Sequence, residues 1–116
     1  MLAAKQFLAR LAGLWLDPRA SHQSMNRQRM TVLYSGRVQG VGFRYTVKSI
    51  TTGFEVTGMV RNLDDGRVEL QAEGAREELD AFRVAVRESG LGGLIQREEE
   101  TFTAATGQFR GFEIVR

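Results

Sequence analysis

From Thr31 onward, apolar positions along the chain switch between a strand rhythm and a helix rhythm. Thr31–Val38 reads as a strand. Phe43, Val47, Ile50 and Thr51 then fall at i, i+4, i+7 and i+8, which marks one face of a helix. Gly53 is placed to stop that helix as a C′ residue, with Phe54 packing back behind it. Glu55–Asn62 reads as a second strand, and Leu63-Asp64-Asp65-Gly66 as the turn of a hairpin. Its return strand, Arg67–Glu73, alternates with Val68, Leu70 and Ala72 inward and Arg67, Glu69, Gln71 and Glu73 outward. Ala75–Ser89 has Leu79, Phe82 and Val86 on a helical face, with Gly90 as its stop. Leu94–Phe102 is a further strand whose Glu98-Glu99-Glu100 run suits a solvated edge, where charge blocks mispairing. Phe112–Val115 adds a short last strand.

The order β-α-β-β-α-β places the chain in the α+β class. It predicts a ferredoxin-like α/β sandwich, an antiparallel sheet with two helices on one face. Residues 31–116 form this domain and residues 1–30 an N-terminal extension, helical or disordered. Within the extension, Phe7, Leu8, Leu11, Leu14 and Trp15 give Ala3 to Leu16 a broad apolar side, and Asp17-Pro18 ends the pattern. Arg10 interrupts the apolar run, which argues against a secretory signal, and no apolar run is long enough to span a bilayer.

Composition narrows the chemistry. With no cysteine among 116 residues, thiolate nucleophiles, disulfides and cysteine-held metals are excluded. The only histidine, His22, lies in the extension, so an imidazole base is not expected. The net charge of +2 is unevenly spread. Residues 1–30 hold five basic residues and one acid, leaving eleven basic and thirteen acidic residues in the domain. Its basic members Arg37, Arg44, Lys48, Arg61 and Arg67 fall in the first half. That distribution suits a local anion site better than a nucleic-acid face.

The stretch Gly36-Arg37-Val38-Gln39-Gly40-Val41-Gly42-Phe43-Arg44 lies between the first strand and the first helix. Glycines let a backbone approach a ligand closely, and the helix behind them offers free N–H groups and the positive end of its dipole. Arg44 would start that helix and add a planar, always-charged fork suited to phosphoryl oxygens. The same residues also make an ordinary glycine-rich turn, and spacing alone leaves both readings open.

This stretch resembles the phosphate-binding signature of the acylphosphatase family, G-x-V-Q-G-V-x-F-R. Gly58-Met59-Val60-Arg61-Asn62, with Gly66, Val68 and Gly74 downstream, resembles the family's second signature. The resemblance spans residues 31–116, including the closing Gly111-Phe112-Glu113-Ile114. It implies a metal-independent hydrolase without cofactors, which splits acyl phosphates into a carboxylate and inorganic phosphate. Arg44 is similar to the family's phosphate-binding arginine, and Asn62 to the asparagine that holds the attacking water. Backbone amides of Gln39, Gly40, Val41, Gly42 and Phe43 would complete the phosphate cradle. Two positions depart from the pattern: Tyr34 stands where an aliphatic residue is usual, and Met59 where an aromatic is usual. The thirty N-terminal residues have no counterpart in the family's minimal form.

The residues themselves suit this chemistry. The leaving carboxylate is a weak base and needs little general-acid help, so the scarcity of histidine is no obstacle. A held phosphoryl group, an aimed water and charge stabilisation suffice. The expected enzyme is cytoplasmic and monomeric, acts on a small acyl phosphate, and binds neither nucleic acid nor membrane. The competing readings are a domain that binds or senses phosphate without turnover, an RNA-binding module of the same strand order, and a unit for carbamoyl phosphate inside a larger maturation protein. Arg67–Glu73 has no stacking aromatics, which argues against RNA.

Overall fold

A computed structural model describes residues 26–116. The elements are β1 (Arg27–Gly36), α1 (Phe43–Ile50), β2 (Thr57–Asn62), β3 (Val68–Ala75), α2 (Arg76–Arg87), β4 (Ile95–Ala104) and β5 (Phe112–Val115). The readings at Ala3 to Leu16 and at His22 lie outside the described residues.

The sheet order is β4-β1-β3-β2-β5. Strands β1 and β3, β1 and β4, and β2 and β3 pair antiparallel, as the β-α-β-β-α-β order predicts. β5 departs from the expected all-antiparallel sheet: it runs parallel to β2, with Gly58 opposite Phe112, so the five-stranded sheet is mixed. β5 reaches β2 after crossing from β4 at the far edge, and that crossing brings it in along β2 in the same direction.

Alternation divides each strand between two environments. Met30, Val32 and Tyr34 of β1, Val60 of β2 and Val68, Leu70 and Ala72 of β3 are buried on the helix-covered face. Phe43 and Val47 of α1 and Leu79, Phe82, Ala85 and Val86 of α2 close the core from above. Edge-to-face rings link the layers, Tyr34 to Phe43 at 5.1 Å and Phe82 to Phe112 at 6.1 Å between centroids. Each fully buried side chain of this core contributes roughly 1.5–3 kcal/mol, and the half-buried Phe112 less.

Several local expectations are corrected. β1 starts at Arg27 rather than Thr31, because Arg27–Met30 continue the pairing with β3. Gly53 is not a left-handed C′ residue: α1 runs on into a 3₁₀ turn over Thr51–Gly53, and Thr51 and Thr52 hydroxyls donate back to the carbonyls of Lys48 and Ser49. Those two threonines satisfy the helix end, so no glycine is needed there.

The glutamates of β4 are also more engaged than a solvated edge requires. β4 is one of the two edge strands, but Glu98 and Glu100 stand on its helix-covered face. Arg83 Nε and Arg87 Nε reach Glu98, each at 2.8 Å, and Arg83 also pairs with Glu100. Burial raises the Glu98 carboxyl's pKa, but the two guanidinium groups outweigh it and hold the carboxyl below its ordinary range.

Glu73, expected outward, faces away from the helices but is fully buried. The segment leading to β5 folds over it. Glu73 accepts hydrogen bonds from the Thr106 N–H and hydroxyl, the Gly107 N–H and Arg29 Nε.

Candidate active site

The hairpin and the glycine loop meet at one end of the sheet. β1 ends there, β2 ends there, and β3 and α1 begin there. Tyr34, Val68 and Asn62 lie in one cross-strand row. Asn62 falls two residues after the buried Val60, so its side chain leaves the sheet on the helix-covered face. α1 packs over β2 and β5, which sets its N-terminal turn above this end.

The loop hangs between two anchors. Val38 and Phe43 are buried in the core, 1% and 2% exposed. Between them, Gly40 and Gly42 adopt φ of 76° and 84°. A side chain would cost roughly 1–2 kcal/mol at either position, because the left-handed backbone crowds any Cβ. Gly42 is the N-cap of α1 and provides no side-chain acceptor to the first turn, which also lacks an acidic residue. The leading N–H groups of the helix are therefore without a side-chain cap, the state of a helix start that can take an external anion. Phe43, not Arg44, opens the helix; Arg44 is its second residue.

Among the described basic residues, Arg61 is paired with Glu69 at 2.6 Å, and Arg67 with Asp65 at 2.8 Å and Glu99 at 3.6 Å. Arg44 is half-buried, and no carboxylate among the described residues pairs with it. The Asn62 Oδ1 atom is buried and has no hydrogen-bond partner. Leaving such an acceptor unsatisfied costs roughly 1–3 kcal/mol, which is the kind of cost that functional sites carry.

Asp64 and Asp65 form the turn expected of them rather than a cation site. Leu63 N donates to Arg67 O at 2.8 Å, and Asp65 Oδ1 accepts from Arg67 N at 3.1 Å. The side-chain hydrogen bond from Arg67 lowers the Asp65 pKa.

A family model described as Acylphosphatase matches residues 30–114. The chain belongs to the acylphosphatase family. Acylphosphatase from Thermobifida fusca is 38% identical over 77% of this chain and 98% of its own length. Acylphosphatase from Syntrophotalea carbinolica is 42% identical over 74% and 94%. The crystal structure of acylphosphatase from Bacillus subtilis superposes with a TM-score of 0.71 at 35% identity, covering 77% of this chain and 99% of that one. The ferredoxin-like order β4-β1-β3-β2 is thus present, with β5 continuing the sheet as a parallel strand beside β2.

An open groove of about 480 Å³ lies on the other flank of α1, lined by Tyr45, Thr46, Ser49 and Ile50 and, at the C-terminal end of α2, by Ala85, Glu88 and Ser89. At 100° per residue, Arg44 projects from the flank opposite Thr46 and Ser49, so the groove does not join the acylphosphatase loop. No helix among the described residues is long and apolar enough to cross a membrane.

Two features of this end were not legible from spacing. The Gln39 side chain is bonded to the hairpin, with Nε2 donating to Leu63 O and Arg67 O. The Tyr34 hydroxyl is buried without a partner, while its ring braces Phe43. A glutamine within a glycine-rich stretch is the one sequence signal for the first; for the second it is the departure at Tyr34, a hydroxyl-bearing residue where an aliphatic one is usual.

Proposed function

We propose that this acylphosphatase hydrolyses acyl phosphates with Arg44 and the loop amides as phosphoryl ligands and Asn62 as the water-holding group. The supporting observation is the buried, unpartnered Oδ1 of Asn62 on the same end and face of the sheet as the uncapped start of α1. A carboxamide there can accept from or donate to one water. The guanidinium of Arg44 would grip two phosphoryl oxygens, and N–H groups of Gln39, Gly40, Val41, Gly42 and Phe43 the remainder.

In the reaction, the water oxygen bonds to phosphorus as the P–O bond to the acyl group breaks. The acyl oxygen leaves with the electron pair as carboxylate, and the water proton passes to a phosphoryl oxygen. The fixed donors stabilise charge spread over the equatorial oxygens, which is where catalysis of phosphoryl transfer resides. The absence of cysteine supports a cytoplasmic setting, and the arginine-covered glutamates on edge strand β4 support a monomer.

The test is benzoyl phosphate turnover by two variants. Arg44→Lys should cripple both binding and turnover, because a point charge cannot replace the fork. Asn62→Ala should keep phosphate affinity and lose on the order of 10²–10³ in kcat. Near-normal turnover in both would refute the assignment.

A further inference from the structure

Gln39 sits in the loop, yet its side chain serves the protein rather than the cradle. Nε2 carries two hydrogens, and both are committed, to Leu63 O at 2.7 Å and to Arg67 O at 2.9 Å. Those carbonyls flank the hairpin turn, which Leu63 N closes by donating to Arg67 O. Leu63 directly follows Asn62. Among the described residues no other hydrogen bond joins residues 39–42 to the hairpin. The glycines on the loop have no side chains with which to fix its position against β2.

We propose that Gln39 is a positioning residue, setting the distance between the phosphoryl cradle and the carboxamide of Asn62. The inference rests on the site reading above. A direct role in holding phosphate through its side chain would need a free N–H, and both are spent. A fastening between loop and strand end matters because the attack is in line: displacement of a reacting group by about 1 Å costs on the order of 10² in rate.

The experiment is a double-mutant cycle on Gln39→Met and Asn62→Ala, with kcat on benzoyl phosphate and Kd for inorganic phosphate as separate readouts. Gln39→Met keeps the side chain's length and removes both donors. It should lower kcat about 10- to 50-fold and leave phosphate Kd within about threefold, since the cradle itself stays formed. In the Asn62→Ala background the same change should cost less than about threefold more, because the group it positions is gone. Losses that multiply, or a Kd that rises in step with the fall in kcat, would overturn the proposal.

Should Gln39→Met not fold, Gln39→Glu carries the same test. At neutral pH its carboxylate faces two carbonyls, and acidification should restore turnover relative to the wild type as the protonated acid regains one donor. A flat ratio across pH would count against positioning. Arg44→Lys run alongside separates the two levels. Normal turnover there removes the site reading itself, whereas its loss beside a silent Gln39→Met removes only this inference.

Discussion

Arg29 Nε lies 2.8 Å from Glu73 Oε2 on the face of the sheet that carries no helix. The Arg29 guanidinium also reaches the Thr106 hydroxyl at 2.9 Å and stacks 4.8 Å from the centre of the Phe109 ring. One buried carboxylate and one arginine thereby fasten the β4–β5 crossover to the middle of the sheet. Burial alone would raise the Glu73 pKa. The Thr106 and Gly107 N–H groups, the Thr106 hydroxyl and Arg29 outweigh it and bring the pKa down to about 2.

Acid should therefore loosen this clamp. Glu73 has a folded pKa below its unfolded value, so its contribution is complete above the ordinary pKa of 4.5 and is lost as pH falls toward about 2. That contribution is roughly 3 kcal/mol. Urea unfolding at stepped pH should show wild-type stability dropping across this window. Glu73→Gln should start lower at pH 7, since its amide N–H₂ meets other donors, and should converge on the wild type near pH 2. Parallel curves for the two proteins would show that the carboxylate does not govern acid unfolding.

Asn62→Ala is expected to move stability and activity in opposite directions. It deletes a buried acceptor that has no partner, so the fold should gain about 1 kcal/mol while kcat collapses. Denaturant midpoints beside turnover on the same preparations check this. A destabilised variant would mean that the carboxamide is satisfied within the protein.

Tyr34 makes a contrasting case. Burial, then the charge of Glu98, raises its phenol well above the usual range. Its neutral form is favoured by folding, so stability is intact below the unfolded pKa near 10 and declines above it. Ultraviolet titration should show one tyrosinate appearing only together with unfolding. Tyr34→Phe keeps the ring contact with Phe43 and removes the unpartnered hydroxyl. It should raise stability by about 1 kcal/mol with kcat within about twofold.

Gly42→Ala isolates backbone strain. No neighbouring atom lies within 4 Å of a Cβ built there, so the whole penalty comes from φ of 84°. A loss of roughly 1–2 kcal/mol in stability is expected, together with weaker phosphate binding as the loop shifts to relieve it. Calorimetric phosphate titration would reveal this; an unchanged affinity would mean that the N–H groups around Gly42 do not face the ligand.

Chelator should leave turnover within about twofold, since a carboxylate leaving group and a guanidinium fork require no Lewis acid. Phosphate release from benzoyl phosphate, with and without chelator, is the measurement.

Sequence periodicity reached the element order because buried faces dictate it: Val32 and Tyr34, Val68 to Ala72, and Leu79, Phe82 and Val86 all stand where alternation or helical spacing puts them. The turn at Leu63–Gly66 was legible because its residues are chosen for local geometry. What escaped were contacts between distant segments. Nothing local to Glu73 announces that Thr106 and Gly107 will cover it, and nothing near Gln39 announces carbonyls 24 and 28 positions ahead. The parallel direction of β5 depends on where the crossover lands, which the four residues of that strand do not encode. Arg44 and Asn62 stand out in the sequence through motif resemblance alone, since the unpartnered Oδ1 of Asn62 becomes visible only in three dimensions.

The parallel seat of β5 on β2 also has a temporal consequence. β5 is synthesised after every other element, so the strand ending in Asn62 emerges from the ribosome with one flank bare and stays so until translation of this domain is nearly done. During that interval the nascent chain offers an open pairing edge to its neighbours on the same message, and the arrival of β5 beside β2 removes that hazard.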